Sequence, residues 1–205
     1  MLRIWGRTNS VNVKKALWAC EELGLKYERI DAGLQFGVNK TPEYLKMNPT
    51  GLVPTLEDDG FQLWESHTIV RYLAAKHGLG TLCPSDLRQR ADAERWMDWA
   101  FTLQRAMRDV FWGLIRTPAE KRDAKAIEAG VRASNDLMRI PEAALAARPY
   151  VAGAAFTMGD IPLGCEVQRW MRVPIERPRM PAVEAWFERL RERPAFRSIV
   201  DIPLT

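Results

Sequence analysis

Two short stretches decide the fold of the first part of the chain: residues 48–54, Asn-Pro-Thr-Gly-Leu-Val-Pro, and residues 63–67, Leu-Trp-Glu-Ser-His. The Val-Pro step of the first stretch predicts the start of a strand, where proline is tolerated. Asp58-Asp59-Gly60, between the stretches, predicts a tight hairpin turn. The Glu-Ser pair of the second stretch predicts a helix start, because serine is favoured at that place. The sequence therefore predicts a β-hairpin followed directly by a helix.

The segments on both sides of the hairpin complete a small α/β domain. Apolar residues recur at helical spacing from Val13 to Leu23, and Gly24 supplies the stop. The predicted strands are residues 2–6, 27–30, 55–56 and 61–64, and the predicted helices are residues 13–23, 42–47 and 66–76. The order β-α-β-α-β-β-α predicts a thioredoxin-like domain, with a mixed sheet and helices on both faces.

The rest of the chain is predicted to be helical. Glycines and a proline predict a linker at residues 78–85. The predicted helices beyond it are residues 86–115, 118–147, 157–171 and 181–191. Pro141 should kink or split the second of these helices. We therefore expect a thioredoxin-like domain at residues 1–77 and an all-helical domain at residues 86–205.

Composition and charge exclude several classes of function. The net charge of +4 is mild, and acidic and basic residues are interleaved, which argues against a nucleic-acid or membrane surface. No apolar segment is long enough to span a bilayer. The odd number of cysteines, three, and the two histidines lack the spacing of a metal site. We expect a cytoplasmic protein with no metal and with neither nucleic acid nor membrane as a partner.

Two helix starts carry residues with possible chemistry. Ser10 and Asn12 lie at the start of the first helix, where unpaired N–H groups and the helix dipole favour an anion. Their common structural role would be helix capping, and the alternative is hydrogen bonding to a bound thiolate. Glu65 and Ser66 place a carboxylate and a hydroxyl at the other helix start, close to the backbone edge at Val53. Together these groups suit a small peptide with a free amine and a carboxylate.

The Val-Pro strand, the hairpin and the Glu-Ser pair, at this spacing, resemble the glutathione-binding subdomain of glutathione S-transferases. Counted back from Gly24, Ser10 matches the serine of the theta-like branch. The run Ser10-Val11-Asn12 also resembles the Thr-Pro-Asn run of the nu-like bacterial branch. The resemblance implies a glutathione transferase fold, glutathione as co-substrate, and Ser10 and Asn12 as the catalytic groups that face its sulfur.

The resemblance also implies the other contacts with glutathione. Val53 and Pro54 would be joined by a cis peptide bond that turns the backbone of Val53 toward the ligand. Ser66 would bind the γ-glutamyl carboxylate at the helix N-terminus, and Glu65 would meet the ammonium group. The family often has Lys or Arg at the place of Leu52, so one cationic contact to the glycine carboxylate is missing here. Asn39 and Lys40 are the candidates to replace it.

In the helical domain, most aromatic and Met residues of the long helix are expected in the core. Thr102 and Arg105, three residues apart and on one face, and Trp112 are candidates for an apolar second-substrate site. Thr157-x-x-Asp160 resembles the structural helix-start motif of the family. Because family members are usually two-fold dimers, the resemblance implies a homodimer.

Three functions remain open at this point. The first is conjugation of glutathione to a small hydrophobic electrophile. The second is glutathione-dependent reduction of disulfides or peroxides, for which Ser10 and Asn12 are nearly as suitable. The third is a transferase fold retained as a non-catalytic protein-binding module, although such proteins tend to lose the Glu-Ser pair or the N-terminal hydroxyl.

Overall fold

The computed structural model describes all 205 residues and divides into two compact units, Met1–Ser85 and Asp86–Thr205. Residues 78–85, which the sequence predicts to be a linker, fall in the first unit. None of the helices has the length and apolar character needed to cross a membrane.

The first unit has the predicted element order. Its strands are β1 (Leu2–Trp5), β2 (Tyr27–Ile30), β3 (Thr55–Asp58) and β4 (Phe61–Trp64), and its helices are α1 (Val11–Glu22), α2 (Pro42–Met47) and α3 (Ser66–His77). The strands form one mixed sheet in the order β2-β1-β3-β4, in which only the pair β1–β2 is parallel. The predicted loop after β2 contains two short 3₁₀ turns, Leu34–Phe36 and Val38–Lys40.

The predicted apolar stripe of α1 is buried, together with most of the rest of the helix. Val13, Ala16, Leu17 and Cys20 are all buried, and α1 packs against α3. The helix begins at Val11, two residues before the first residue of the apolar pattern, and the side chain of Val11 is itself buried. The stripe is therefore an incomplete guide to the packing of α1, because Lys14, Lys15 and Trp18 are buried as well.

The hairpin turn follows the predicted Asp-Gly chemistry. Asp59 and Gly60 both have positive φ, 47° and 89°, and the flanking residues Asp58 and Phe61 pair across the strands. A two-residue turn with two positive φ angles matches the right-handed twist of the strands. The turn fixes the register, and so determines where β4 ends and α3 begins.

The second unit is all-helical. Its helices are α4 (Leu87–Phe111), α5 (Ala124–Leu137), α6 (Arg139–Leu145), α7 (Asp160–Arg172), α8 (Pro181–Glu192) and α9 (Pro194–Ile199). A π-helical turn, Trp112–Arg116, extends α4. The expected split at Pro141 is present, since α5 ends at Leu137 and α6 begins at Arg139. The ring of a proline clashes with the carbonyl four residues earlier, which is that of Leu137.

The prediction that a helix starts at Pro118 was wrong. Residues 119–121 form only a 3₁₀ turn, and α5 begins at Ala124. Asp123 is the N-cap, and its Oδ1 accepts a hydrogen bond from the N–H of Ala126 at 3.0 Å. A capping carboxylate satisfies one of the unpaired N–H groups of the first turn, which Pro118 does not.

The Thr157–Asp160 motif lies at the start of α7 as predicted. Oδ1 of the buried Asp160 accepts hydrogen bonds from the N–H of Val151 at 3.0 Å and from Nε1 of Trp186 at 2.9 Å. Its Oδ2 accepts the N–H of Thr157 at 2.9 Å. Burial raises the pKa of Asp160 to about 6. The motif ties three segments of the helical unit together, which is a structural role.

Candidate functional site

Strand register brings four segments of the first unit to one end of its sheet. Trp5, at the end of β1, lies opposite Ile30, at the end of the parallel strand β2. Trp5 also lies opposite Thr55, at the start of β3, and Thr55 lies opposite Trp64, at the end of β4. The segments that follow β1, β2 and β4 and the segment that precedes β3 therefore leave the sheet at the same end.

These four segments carry every residue that the sequence predicts to bind glutathione. Ser10 and Asn12 follow β1, Asn39 and Lys40 follow β2, Leu52, Val53 and Pro54 precede β3, and Glu65 and Ser66 follow β4. The order and direction of the strands thus bring residues that are far apart in the chain to one end of the sheet.

Ser10 is the N-cap residue of α1, but its side chain does not cap the helix. The residue has extended backbone, its carbonyl accepts the N–H of Lys14 at 2.9 Å, and its hydroxyl makes no capping hydrogen bond. The side chain is largely buried. The structural explanation of this serine, helix capping by the hydroxyl, is therefore excluded.

Asn12 lies in the first turn of α1 and is half-buried. Its Oδ1 accepts a hydrogen bond from Nζ of Lys15 at 3.0 Å. Because the amide oxygen is used by Lys15, the NH₂ group is the half of the amide that is suited to donate to an anion. Sequence reasoning missed Lys15, although its position three residues after Asn12 places both on one helix face.

Val53 presents its backbone beside a cis proline. The bond between Val53 and Pro54 is cis, which confirms the expectation drawn from the resemblance. No other backbone group pairs with the N–H or C=O of Val53. The preceding carbonyl, that of Leu52, accepts hydrogen bonds from Oη of Tyr44 at 2.6 Å and Nδ2 of Asn48 at 3.0 Å. The hydrogen bonds to the carbonyl of Leu52 therefore fix the segment before Val53, while the N–H and C=O of Val53 are available to pair with a ligand.

The two candidates for a contact with the glycine carboxylate lie next to Gly51. Nδ2 of Asn39 donates to the carbonyl of Gly51 at 2.6 Å, so this amide fastens the loop. Nζ of Lys40 lies 2.7 Å from the place where a Cβ on Gly51 would stand. Leu52, where a cation is common in the family, is 63% exposed. Lys40 is therefore the cation of this segment.

Glu65 and Ser66 differ in detail from the expected helix cap. Ser66 is the first residue of α3, and Glu65 is the N-cap, so the prediction of Ser66 as the cap was wrong by one position. The first hydrogen bond of the helix joins the N–H of Ile69 to the carbonyl of Glu65, so the N–H of Ser66 takes no part in the hydrogen bonds of the helix. Ser66 is 3% exposed, while Glu65 is exposed.

The backbone of Glu65 has φ of 71° and ψ of 110°. A positive φ at a residue that is not glycine costs about 1–3 kcal/mol and persists where a function or tight packing requires it. The exposed side chain of Glu65 makes tight packing a poor explanation. The strained backbone is consistent with a binding role for this residue.

The candidates for the second substrate lie in the helical unit. Thr102 and Arg105 are exposed on α4, and Trp112 is 45% exposed in the π-helical turn. The guanidinium of Arg116 lies 4.6 Å from the ring centre of Trp112. Met107 and Phe111 are buried, as expected of core residues in α4. Trp112 is therefore an aromatic surface rather than a part of the core.

The three cysteines are free thiols and all are buried. Cys20 lies in α1 and Cys165 in α7, each with at most 1% of its surface exposed. Burial raises the pKa of Cys20 to about 12, so its thiol is a poor nucleophile near neutral pH. No group of three or more His, Cys, Asp and Glu side chains is placed to hold a metal ion.

A thioredoxin-like unit with a cis-proline edge and a Glu-Ser helix start, together with an all-helical unit, defines the glutathione transferase class of fold. Two family models match the chain: the N-terminal domain of glutathione S-transferase over residues 1–75 and its C-terminal domain over residues 102–194. The chain belongs to the glutathione S-transferase family. The predicted family and fold class are thereby confirmed.

Relatives and solved structures agree with this assignment. The chain is 44% identical to glutathione S-transferase GstB of Escherichia coli over 100% of both chains. It is similar to the crystal structure of the theta class glutathione S-transferase from Xanthomonas axonopodis pv. citri with glutathione bound, with a TM-score of 0.96, 49% identity and coverage of 100% and 99%. It is also 32% identical to the probable elongation factor 1-gamma 2 of Arabidopsis thaliana, over 91% of this chain and 46% of that protein.

Proposed function

We propose that the protein conjugates the thiolate of glutathione to a small hydrophobic electrophile. The observation that carries this function is the alignment of Trp5, Ile30, Thr55 and Trp64 at one end of the sheet. This alignment brings three features together in one unit. They are the groups that would donate hydrogen bonds to the thiolate, the backbone of Val53, and the helix start that would bind an anion. The relatives named glutathione S-transferase match over the full length of the chain, which supports the same activity.

The γ-glutamyl end of glutathione would be bound at the start of α3. Its carboxylate would accept hydrogen bonds from the N–H groups and hydroxyl at Ser66, where the helix dipole also favours negative charge. Glu65 would pair with the ammonium group. The cysteinyl residue of glutathione would pair with the backbone of Val53 in the manner of an added strand, and Lys40 would meet the glycine carboxylate.

The thiol of glutathione would be ionised by the hydroxyl of Ser10 and the amide of Asn12. A free thiol with a pKa of about 8.5 is only roughly 3% thiolate at pH 7. Lowering the pKa by about two units would make it roughly three-quarters ionised. With a Brønsted slope near 0.4–0.5, the weaker nucleophilicity cancels much of this gain and leaves a factor of about three. Most of the acceleration must therefore come from holding the electrophile against the sulfur.

The electrophile would be bound by the helical unit. Trp112 offers an exposed aromatic ring stacked with Arg116, and Thr102 and Arg105 offer polar groups on the exposed face of α4. An apolar surface with few polar groups is the usual lining of a site for a hydrophobic substrate. A role in detoxification is part of the same proposal.

We also propose that the protein is a cytoplasmic homodimer. A groove of about 360 Å³ opens between α4 and α6 and is lined by Arg95, Trp96, Trp99, Ile140, Ala144 and Arg148. Four of the six lining residues, Trp96, Trp99, Ile140 and Ala144, are apolar, and a contiguous apolar surface is a common mark of a protein interface. The three free thiols agree with a reducing compartment.

One experiment separates conjugation from reduction. Purified protein with glutathione is assayed in parallel with a chlorinated aromatic electrophile and with a small mixed disulfide. Conjugation predicts turnover of the electrophile that falls in the variant Ser66→Ala when glutathione is below saturation. Turnover of the disulfide alone would assign the protein to glutathione-dependent reduction. If calorimetry shows no binding of glutathione, the fold serves as a protein-binding module and the proposed function is wrong.

A further inference from the structure

We propose that Lys15 is a positioning residue that orients the amide of Asn12 and joins the two helix starts of the glutathione site. This inference rests on the proposed function, since it assigns Lys15 a role in presenting the amide of Asn12 to the bound thiolate. The observation behind it is a lysine on the buried face of α1 that contacts one residue beside each helix start.

Lys15 is fully buried, with 0% of its surface exposed. Lysine is almost never fully buried unless its charge is paired or hydrogen-bonded. Here Nζ lies 3.0 Å from Oδ1 of Asn12 and 3.1 Å from Nε2 of His67. His67 is itself buried. A buried ammonium held by two polar side chains is an arrangement that core packing alone does not require.

The chemistry of the donors fixes the orientation of both partners. An ammonium group can only donate hydrogen bonds, so the atom of Asn12 that faces it must be the oxygen. The NH₂ group of Asn12 is then turned to the other side. By the same argument Nε2 of His67 is the acceptor that faces the ammonium group. Lys15 therefore selects one of the two orientations of the Asn12 amide.

The two contacts also connect the two ends of the ligand site. Asn12 lies two residues after Ser10, where the thiolate would sit, and His67 directly follows Ser66, where the γ-glutamyl carboxylate would sit. The helices α1 and α3 that carry them pack against each other. Lys15 is the side chain that bridges Asn12 on α1 to His67 on α3. We therefore expect replacement of Lys15 to change the pKa of the bound thiol more than it changes any property of the protein far from the glutathione site.

The test is the pKa of the bound glutathione thiol, measured from the ultraviolet absorbance of the thiolate against pH. Replacing Lys15 with Met keeps the length of the side chain and removes the donor. We expect the thiol pKa to rise by about one unit, with kcat/KM at neutral pH falling by less than the thiolate fraction, because a more basic thiolate is a better nucleophile. The double variant with Asn12→Ala should show no further rise, because residues that act as a unit are not additive.

Lys14 provides the matched control. It is the neighbouring lysine of α1 and is also largely buried, so Lys14→Met makes the same chemical change one position away. We expect Lys14→Met to leave the thiol pKa unchanged. An equal rise in both variants would overturn the proposal, because it would reflect general loss of positive charge. An unchanged thiol pKa in Lys15→Met would overturn it as well.

A second pair of variants covers the case in which Lys15→Met does not fold. His67→Gln keeps an acceptor for the ammonium, and His67→Leu removes it. The inference predicts a higher thiol pKa in the Leu variant and rescue by the Gln variant, and equal values in both would contradict it. The variants Ser10→Ala and Asn12→Ala distinguish a failure of the proposed thiolate site from a failure of the proposed role of Lys15. If neither raises the thiol pKa, the proposed thiolate site is wrong; if they do and the changes at Lys15 and His67 do not, only the role of Lys15 is wrong.

Discussion

Thr55, the first residue of β3, is paired with Trp5, the last residue of β1. This pairing places the cis-proline segment beside the turn that carries Ser10. Because Thr55 also pairs with Trp64, the start of α3 lies at the same end of the sheet. Three separate parts of the sequence thus meet through strand register.

Replacing Ser66 with Ala should weaken glutathione binding by about 10- to 100-fold, since a hydrogen bond to a charged group contributes about 1.5–3 kcal/mol. The contact is made in both the ground state and the transition state, so KM should rise more than kcat falls. Isothermal titration calorimetry measures the affinity directly. Ser198→Ala, in an exposed part of α9, is the control and should bind as tightly as the wild type. Unchanged affinity in the Ser66 variant would count against the site.

Replacing Ser10 with Ala should raise the pKa of the bound thiol by about one to two units, because it removes a donor to the thiolate. The loss acts on the ionised form of the ligand, so glutathione affinity at low pH should change little. Stopped-flow or equilibrium absorbance of the thiolate against pH provides the measurement. If Asn12→Ala shifts the thiol pKa and Ser10→Ala does not, the main stabilising group is the amide.

Leu52→Lys should tighten glutathione binding by restoring the cation that the family often has at this place. The side chain is 63% exposed, so the expected gain is that of a surface ion pair, about 0.2–1 kcal/mol or up to fivefold. The gain should shrink as salt is added. Leu79→Lys, at an equally exposed leucine of the same unit, adds the same charge elsewhere and should bind like the wild type. Equal gains in both variants would indicate a general effect of charge.

Trp112→Ala should raise the KM for the hydrophobic electrophile and leave the affinity for glutathione unchanged. The ring is exposed and lies against Arg116, so its removal costs little stability. Steady-state kinetics with each substrate varied in turn distinguishes the two effects. A loss of glutathione affinity without a change in the KM of the electrophile would remove Trp112 from the second-substrate site.

Asp160 should make the stability of the helical unit depend on pH. Burial raises its pKa from the ordinary 3.8 to about 6. The folded protein therefore holds this proton more tightly than the unfolded chain does. Below pH 3.8 the protonated carboxyl group makes its full contribution to the free energy of unfolding, about 3 kcal/mol. This contribution is lost as the pH rises to about 6.

Urea unfolding of the wild type and of Asp160→Asn between about pH 4 and pH 7 isolates this contribution, because asparagine does not titrate. The difference in unfolding free energy, wild type minus variant, should fall as pH rises. A difference that rises with pH would mean that the three N–H groups around the carboxylate outweigh its burial.

Local sequence signals predicted the elements that depend on local chemistry. Asp59 and Gly60 fixed the hairpin because only certain residues accept positive φ, and Pro141 split a helix through its own ring. The start of α5 was missed because Pro118 and Asp123 both favour a helix start, and only the folded chain shows which one is used. The resemblance to the family, rather than any local pattern, supplied the cis bond at Pro54.

Features that depend on packing between elements could not be predicted. Lys15 looks like a surface residue in the sequence, and its burial follows from the position of α3. The same holds for the hydroxyl of Ser10, which makes no capping hydrogen bond although its backbone is extended, as is typical of an N-cap residue. The apolar pattern predicts one buried stripe of α1, and it contains no information on the further side chains, Lys15 among them, that are buried with it.

The central claim is that the edge formed by Val53 and the start of α3 holds glutathione by its backbone and its γ-glutamyl end. A crystal structure of this protein with glutathione tests that claim most directly. The account predicts that the γ-glutamyl carboxylate lies within hydrogen-bond distance of the hydroxyl and N–H of Ser66, with the sulfur next to Ser10. Glutathione bound elsewhere, with Glu65 and Ser66 free of ligand, would contradict it.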